Sequence, residues 1–130
     1  MADLETVLQT RLTTFAGLAA LVGPRVYPLK LPQTPTMPAV TYQRIGGPRE
    51  SGIAGEHGMA HPRIQVDSWA LTYGGAKAVA EQVRAALQRW SDATTTPVIL
   101  DPFIGGEIDL YESEVELNRV SMDFIIWHRE

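Results

Sequence analysis

The chain has 130 residues and a mass of 14.3 kDa, the length of one domain rather than two. Hydrophobic residues make up 45% and charged residues 20%, values close to the globular average that exclude a disordered or fibrous chain. The absence of cysteine excludes disulfide frameworks, thiolate metal cages and cysteine nucleophiles. The sequence therefore predicts a single domain over residues 1–130.

The net charge of −4 argues against general affinity for nucleic acid, which needs an excess of Lys and Arg. Residues 1–90 contain nine Lys or Arg and six Asp or Glu, a balance of +3, whereas residues 91–130 contain two and nine, a balance of −7. This polarity can guide self-association. The acidic N-terminus and the lack of a 20-residue apolar run predict a soluble protein, cytoplasmic when made, without a membrane partner.

Apolar residues at steps of three and four predict the first helix, from Asp3 to about Val22, with Gly23-Pro24 ending it. Residues 24–38 contain five of the nine prolines, so we expect an extended surface strap without regular pairing. A strand follows at Ala39–Ile45, where β-branched and aromatic residues alternate with polar ones and one face is expected to be wetter.

Five glycines and few apolar residues between Gly46 and Ala60 predict a long loop, expected to be mobile in an isolated subunit. Pro62–Trp69 is the next strand, with Ile64 and Val66 directed inward, so the two strands form a long-looped antiparallel hairpin. The second helix is predicted at Gly74–Trp90. The last region is predicted to contain, in order, Val98–Leu100, a Gly105-Gly106 turn, Ile108–Leu117, a tight Asn118-Arg119 turn and Val120–His128.

The order of these elements predicts an α+β fold, a mostly antiparallel sheet with two helices packed on one face and a long loop between the first two strands. Three large side chains each end an apolar element, where we expect them to seal the edge of the core: Trp69, Trp90 and Trp127.

Most catalytic signatures are missing, including the P-loop, the dinucleotide-binding glycine motif, the nucleophile elbow and the zinc-protease helix motif. His57 and His61 are four residues apart beside Glu56, a spacing that would chelate zinc on a helix. Because they lie in the predicted glycine-rich loop, solvated loop histidines are the preferred interpretation. A small metal-dependent hydrolase using them stays an alternative, and no metal or cofactor is predicted.

Glu112, Glu114 and Glu116 alternate along the predicted strand, so they project from one face in a line. A catalytic acid and base need environments that separate their pKa values, and a row of exposed carboxylates does not provide them. The row is interpreted as a solvated strand face, with an acidic contact or repulsion surface left open.

The base of the glycine-rich loop contains a mixed cluster of charged residues. Its arginines suit a protein partner's carboxylates better than nucleic acid, because acidic residues lie among them, although scattered solubilising charge remains an equal interpretation. The candidate interface residues are Arg44, Arg49, Glu50, Glu56, His57 and Arg63.

Several short apolar segments, taken together, resemble those of one protein family. Leu21–Pro28 (LVGPRVYP), Leu31-Pro32 and Met37–Tyr42 (MPAVTY) are similar to the small tail-terminator, or tail-completion, proteins of tailed bacteriophages and gene transfer agents. Arg63–Trp69, Ala78–Leu87 and Ser121–Trp127 resemble that family's strand, helix and C-terminal strand. The resemblance covers nearly the whole chain.

The resemblance implies a non-enzymatic virion protein. It would form a ring, commonly a hexamer, on the head-proximal end of the tail tube, end tube growth and offer the surface to which the head docks. Its partners would be copies of itself, the tail tube protein and the head-tail connector proteins, while DNA passes through without specific binding. The family has no catalytic residues to transfer. Alternatives are a head-completion or neck ring protein and, from another class, a nucleic-acid-binding regulator.

A cyclic ring needs two different patches of each subunit to meet, and a basic N-terminal region with an acidic C-terminal one would provide them. The loop 46–60 would become ordered against a neighbour or the tube. If Glu112, Glu114 and Glu116 face the channel, they would repel the phosphates of passing DNA.

Overall fold

The structure is a computed structural model that describes residues 4–46, 59–60, 62–91 and 98–129. Within these residues it contains three helices and six strands, in the order α1 (Leu4–Thr14), α2 (Ala16–Val22), β1 (Val26–Pro28), β2 (Ala39–Gly46), β3 (Met59–Ala60), β4 (Arg63–Ala70), α3 (Tyr73–Leu87), β5 (Val98–Glu112) and β6 (Leu117–Arg129). The predicted α+β class with a mostly antiparallel sheet is confirmed.

The first predicted helix is two helices, α1 and α2, separated at Phe15, whose backbone is extended. The Thr13 and Thr14 hydroxyls donate to the carbonyls of Gln9 at 2.8 Å and Thr10 at 2.6 Å, side-chain bonds of a kind that bends helices. The apolar stripe continues across the break, so the periodicity did not reveal it. The predicted end at Gly23 is confirmed, since its left-handed backbone (φ 56°) follows α2 directly.

The proline-rich stretch was predicted to have no regular pairing, and for β1 this is wrong. β1 pairs in parallel with β2, with Val26 beside Val40. Proline is tolerated there because β1 is an edge strand, paired on one side only. Residues 29–38, called the strap below, continue to β2 without further helix or strand.

The sheet order is β1-β2-β4-β6, with β5 on the far edge of β6. β3 pairs with β6 in the register that β4 continues, with Ala60 opposite His128 and Arg63 opposite Ile125, so β3 and β4 act as one interrupted strand. The predicted antiparallel pairing of β2 and β4 is confirmed. The loop predicted between them falls mainly on residues outside the described ranges.

One face of the sheet is covered by the helices. Its buried side chains alternate along the central strands, as predicted for Ile64 and Val66, and share a core with the inner sides of α1, α2 and α3. The helix α3 begins after Thr72, whose hydroxyl accepts from the Gly75 N–H at 3.0 Å, and ends at Leu87, short of the predicted Trp90. The opposite side of the sheet, called the open face below, has no helix over it among the described residues.

The end of the chain differs most from the prediction. β5 runs through Gly105-Gly106, where a turn was predicted, with a register shift between Ile104 and Gly106. A Cβ on Gly105 would lie 3.0 Å from a carboxylate oxygen of Asp123 on β6, so this position leaves little room for a side chain beside Asp123. Asn118 and Arg119, predicted as a turn, are inside β6, and the true turn is 113–116.

Candidate functional site

The open face has a polar floor made by three neighbouring strands. Sheet register places Thr41 of β2 beside Asp67 of β4, and Trp69 of β4 beside Arg119 of β6. Thr41, expected on the wetter face, is buried because the Trp69 indole N–H donates to its hydroxyl at 2.9 Å. Trp69 was predicted to seal the core edge, but it lies on the opposite side of the sheet from the core.

A network centred on Asp67 fixes this floor. The Asp67 side chain is only 8% exposed, and its carboxylate accepts from Arg119 Nη1 at 3.2 Å and from the Gln65 amide at 2.9 and 3.1 Å. Arg119 Nη2 also lies 2.6 Å from Glu112 Oε1, and its guanidinium stacks 5.1 Å from the centre of the Trp69 ring. The buried carboxylate accepts from the Arg119 guanidinium and from the side-chain amide of Gln65, so it is held in place within the floor.

Above this floor lies a groove of about 1010 Å³, bordered by the strap on one side and by the 113–116 turn on the other. Four large apolar side chains on its border face solvent, namely Leu29 (71% exposed), Leu71 (70%), Val115 (60%) and Tyr111 (58%). Exposed apolar groups gathered beside a polar floor make this groove a candidate contact surface. Leu29 was expected to anchor the proline-rich stretch and is instead exposed, and the other three were not singled out from the sequence, because only the fold brings these segments together.

The chain segments on the two sides of the groove also differ in charge, and their described charged residues that line the groove are Lys30, Glu112 and Glu114. Residues 24–46 include Arg25, Lys30 and Arg44 and no acidic residue, whereas residues 98–117 include six acidic residues and no Lys or Arg. The strap lies along β2 at one side of the sheet, and β5 is the opposite edge strand. The charge asymmetry of the sequence is therefore an asymmetry between two edges of one sheet.

A second polar cluster joins α3 to β5 on the covered face. Lys77 Nζ lies 3.2 Å from Glu107 and 3.3 Å from Asp109, while the Tyr73 hydroxyl donates to Asp109 at 2.7 Å. That hydrogen bond lowers the pKa of Asp109 and raises the pKa of Tyr73, and the bonds to Glu107 and Asp109 raise the pKa of Lys77. Arg84 adds a contact to Glu107 at 2.6 Å. All these groups pair with one another, so the cluster holds α3 against β5.

Two of the predicted interface residues lie in described parts of the chain, and each has a partner in the same chain. Arg44 lies 3.5 Å from Glu5 of α1, and Arg63 pairs with Asp123 of β6. The other four, Arg49, Glu50, Glu56 and His57, lie outside the described residues. The interface assignment of all six therefore stays a prediction.

The predicted row of carboxylates on one strand face is wrong. Glu112 is the last residue of β5, whereas Glu114 and Glu116 belong to the turn, where Glu116 has a left-handed backbone with φ 54°. The alternating carboxylates indicated a strand when only the sequence was considered, but in the structure two of the three lie in a turn. Whether any of the three faces a channel in an assembly stays a prediction.

Two further features of the described residues concern metal binding and membrane spanning. The described residues hold no group of three or more His, Asp or Glu side chains placed to bind a metal ion. His57 and His61, the alternative zinc ligands, lie outside those residues, so the structure does not address them. In the described part of the chain, no helix has the length and apolar character needed to cross a membrane.

Comparison with known proteins gives one family and one fold. No curated protein matches the chain significantly. Among solved structures, a chain of the "Virion of native gene transfer agent (GTA) particle" is similar at a TM-score of 0.75 and 18% identity, covering 95% of this chain and 92% of that one. The family model described as "Tail completion protein gp17" matches residues 6–129. This chain therefore belongs to the tail completion protein gp17 family, and is a structural tail protein of a phage or phage-like virion.

Proposed function

We propose that this protein forms a ring on the head-proximal end of the tail tube, ends the growth of the tube and supplies the surface on which the head docks. The observation that carries the proposal is the family match, which extends over residues 6–129 and thus over the whole folded unit. The shared fold with a chain of a gene transfer agent particle supports it.

The physical requirements of such a role agree with the open face. Ending a polymer requires a subunit that binds the last layer and presents a different surface outward, and no bond is made or broken. A polar floor with exposed apolar groups at its border offers a contact surface of this kind. The proposed partners are further copies of the chain, as a hexamer, together with the tail tube protein and the head-tail connector proteins.

A ring also requires unlike surfaces to meet between neighbouring subunits. The basic and acidic edges of the sheet are two unlike surfaces on one subunit, so they can meet head to tail between successive copies. Electrostatic complementarity would set the order and orientation of the copies. DNA would pass through the centre of the ring without specific binding, since the net charge of each subunit is −4.

Polymerisation of the tail tube protein, with and without this protein, tests the proposal. We expect tubes assembled in its presence to stop at a shorter and narrower range of lengths and to carry a cap at one end. The control is Glu81→Lys, a charge reversal on the exposed side of α3 that should cap tubes like the wild type. Unchanged tube lengths, with binding to isolated heads instead, would favour a head-completion protein and overturn the proposal.

A further inference from the structure

Two exposed patches on the groove border have opposite charge and similar apolar character. The strap begins with Leu29, which is exposed, and Lys30, which has no carboxylate partner in the described ranges. The 113–116 turn, called the acidic turn below, presents Val115 to solvent, with Glu114 and Glu116 free of any described cation partner. Each patch thus combines an apolar group with charge that no described side chain of the same subunit neutralises.

The turn keeps its acidic charge, whereas three neighbouring carboxylates are paired within the subunit. Glu107 and Asp109 bind Lys77, and Glu112 binds Arg119. Both patches also hold residues in the left-handed region of backbone space, Leu29 at φ 67° and Glu116 at φ 54°. Residues other than glycine adopt it less often, and in hairpin turns such as the acidic turn it is a common conformation.

We propose that the acidic turn of one subunit docks onto the strap of the next, with Glu114 and Glu116 against Lys30 and with Val115 against Leu29. The inference rests on the proposed function, because it names the contact that joins neighbouring subunits of the ring. A second copy is the occupant because one chain supplies both halves of the contact, opposite in sign and each with an exposed apolar group. In the proposed ring this contact is heterologous, and it repeats from copy to copy until the ring closes.

Backbone hydrogen bonding between the sheet edges of neighbouring subunits is a less suitable contact. Some backbone groups of both edges already have hydrogen-bond partners within the same subunit. The Val26 carbonyl on β1 accepts from the Gln9 side chain at 3.1 Å. On β5, the Pro102 carbonyl accepts from the Arg89 N–H at 2.7 Å and the Ile104 N–H donates to Gln88 at 3.2 Å. Within the described ranges, Lys30, Glu114 and Glu116 have no side-chain partner, so the proposed contact is made through side chains.

Disulfide trapping between two different variants tests this contact, and the chain suits it because it has no cysteine. Leu29→Cys and Val115→Cys chains with different affinity tags are mixed under conditions of assembly and mildly oxidised. We expect the mixed dimer to exceed both same-variant dimers severalfold. Mixing two chains excludes cross-links across the groove of one subunit. Ala85→Cys, on the exposed side of α3, replaces Leu29→Cys in the matched control and should give only background dimer.

Charge reversal gives the second measurement. Lys30→Glu should weaken subunit association about fivefold per contact, and Glu114→Lys in the same chain should restore it, since exposed ion pairs have effects of this size. Thermal unfolding of each variant checks that its fold is intact. If the mixed disulfide stays at background and Lys30→Glu assembles normally while wild-type rings still cap tubes, the contact is elsewhere and this inference fails alone. If wild-type protein neither forms rings nor caps tubes, the proposed function fails.

The same experiment separates the contact from the channel hypothesis, which assigns Glu114 and Glu116 to a different surface. Carboxylates that line a channel would not bring Val115 beside a neighbour's Leu29. The mixed disulfide would then remain at background, and the proposed contact would be overturned.

Discussion

The two faces of the sheet differ in what their side chains do. On the covered face, alternating residues such as Val66, Met122 and Phe124 are buried against three helices. On the open face, the same strands carry Asp67 and Arg119 in a polar network, with exposed apolar residues around them. The two faces therefore differ in kind, since one buries apolar side chains in the core and the other holds a polar network with exposed apolar residues around it. Variants on the two faces test this distinction.

The largest expected effect is on the covered face. Phe124→Ala removes a fully buried ring from β6 and should lower the free energy of unfolding by about 3–5 kcal/mol. The matched variant is Phe103→Ala, which removes the same ring where it is 41% exposed at the open face and should cost about 1 kcal/mol or less. Denaturant unfolding measures both. Equal losses of unfolding free energy would contradict the described difference between the two faces.

A smaller effect is expected within the open face. Arg119→Met leaves the Asp67 carboxylate buried without its cation and should lower the free energy of unfolding by about 2–3 kcal/mol. Adding Asp67→Asn should recover part of that loss, because the uncompensated charge is gone. A double-mutant cycle measures the coupling, and additive losses would contradict the network.

The α3–β5 cluster predicts a dependence on pH. The lowered pKa of Asp109 adds stability above its ordinary value of 3.8, and this stability is lost as the pH falls through the lowered value. The raised pKa values of Tyr73 and Lys77 add stability below 10.0 and 10.5, lost as the pH rises through the raised values. Tyr73→Phe should therefore be less sensitive than the wild type at both extremes. Parallel curves of unfolding midpoint against pH would contradict the cluster.

The smallest effect is expected for exposed apolar residues of the open face. Ile108→Ala, on β5 beside Ser121, should change the free energy of unfolding by no more than about 0.5 kcal/mol. Thermal unfolding checks this change. A loss above 1 kcal/mol would mean that the open face contributes to the core.

The sequence correctly predicted features that depend on local residue patterns. The inward direction of Ile64 and Val66 followed from a period of two along one strand, and the end of α2 at Gly23 followed from a glycine with proline after it. The break between α1 and α2 at Phe15 could not be predicted from the sequence, because the apolar stripe keeps its spacing on both sides of it. Gly105 was misread as a turn, since a glycine in a strand position with little room beside Asp123 looks the same in the sequence.

The candidate site was harder to predict than the fold. Asp67, Trp69 and Arg119 meet because β4 and β6 pair in one register, and a register between distant segments leaves no spacing signal in the sequence. The charge asymmetry was visible in the sequence, yet only the strand order shows that it separates two edges of one sheet.

The central claim is that the protein acts by assembly on the end of a tail tube. The most direct measurement is the solution mass of the purified protein combined with negative-stain imaging, with and without tail tubes. The account predicts closed rings, or caps confined to one end of each tube, with a mass that is a small whole multiple of 14.3 kDa. A chain that stays a monomer under both conditions and leaves both tube ends bare would contradict it.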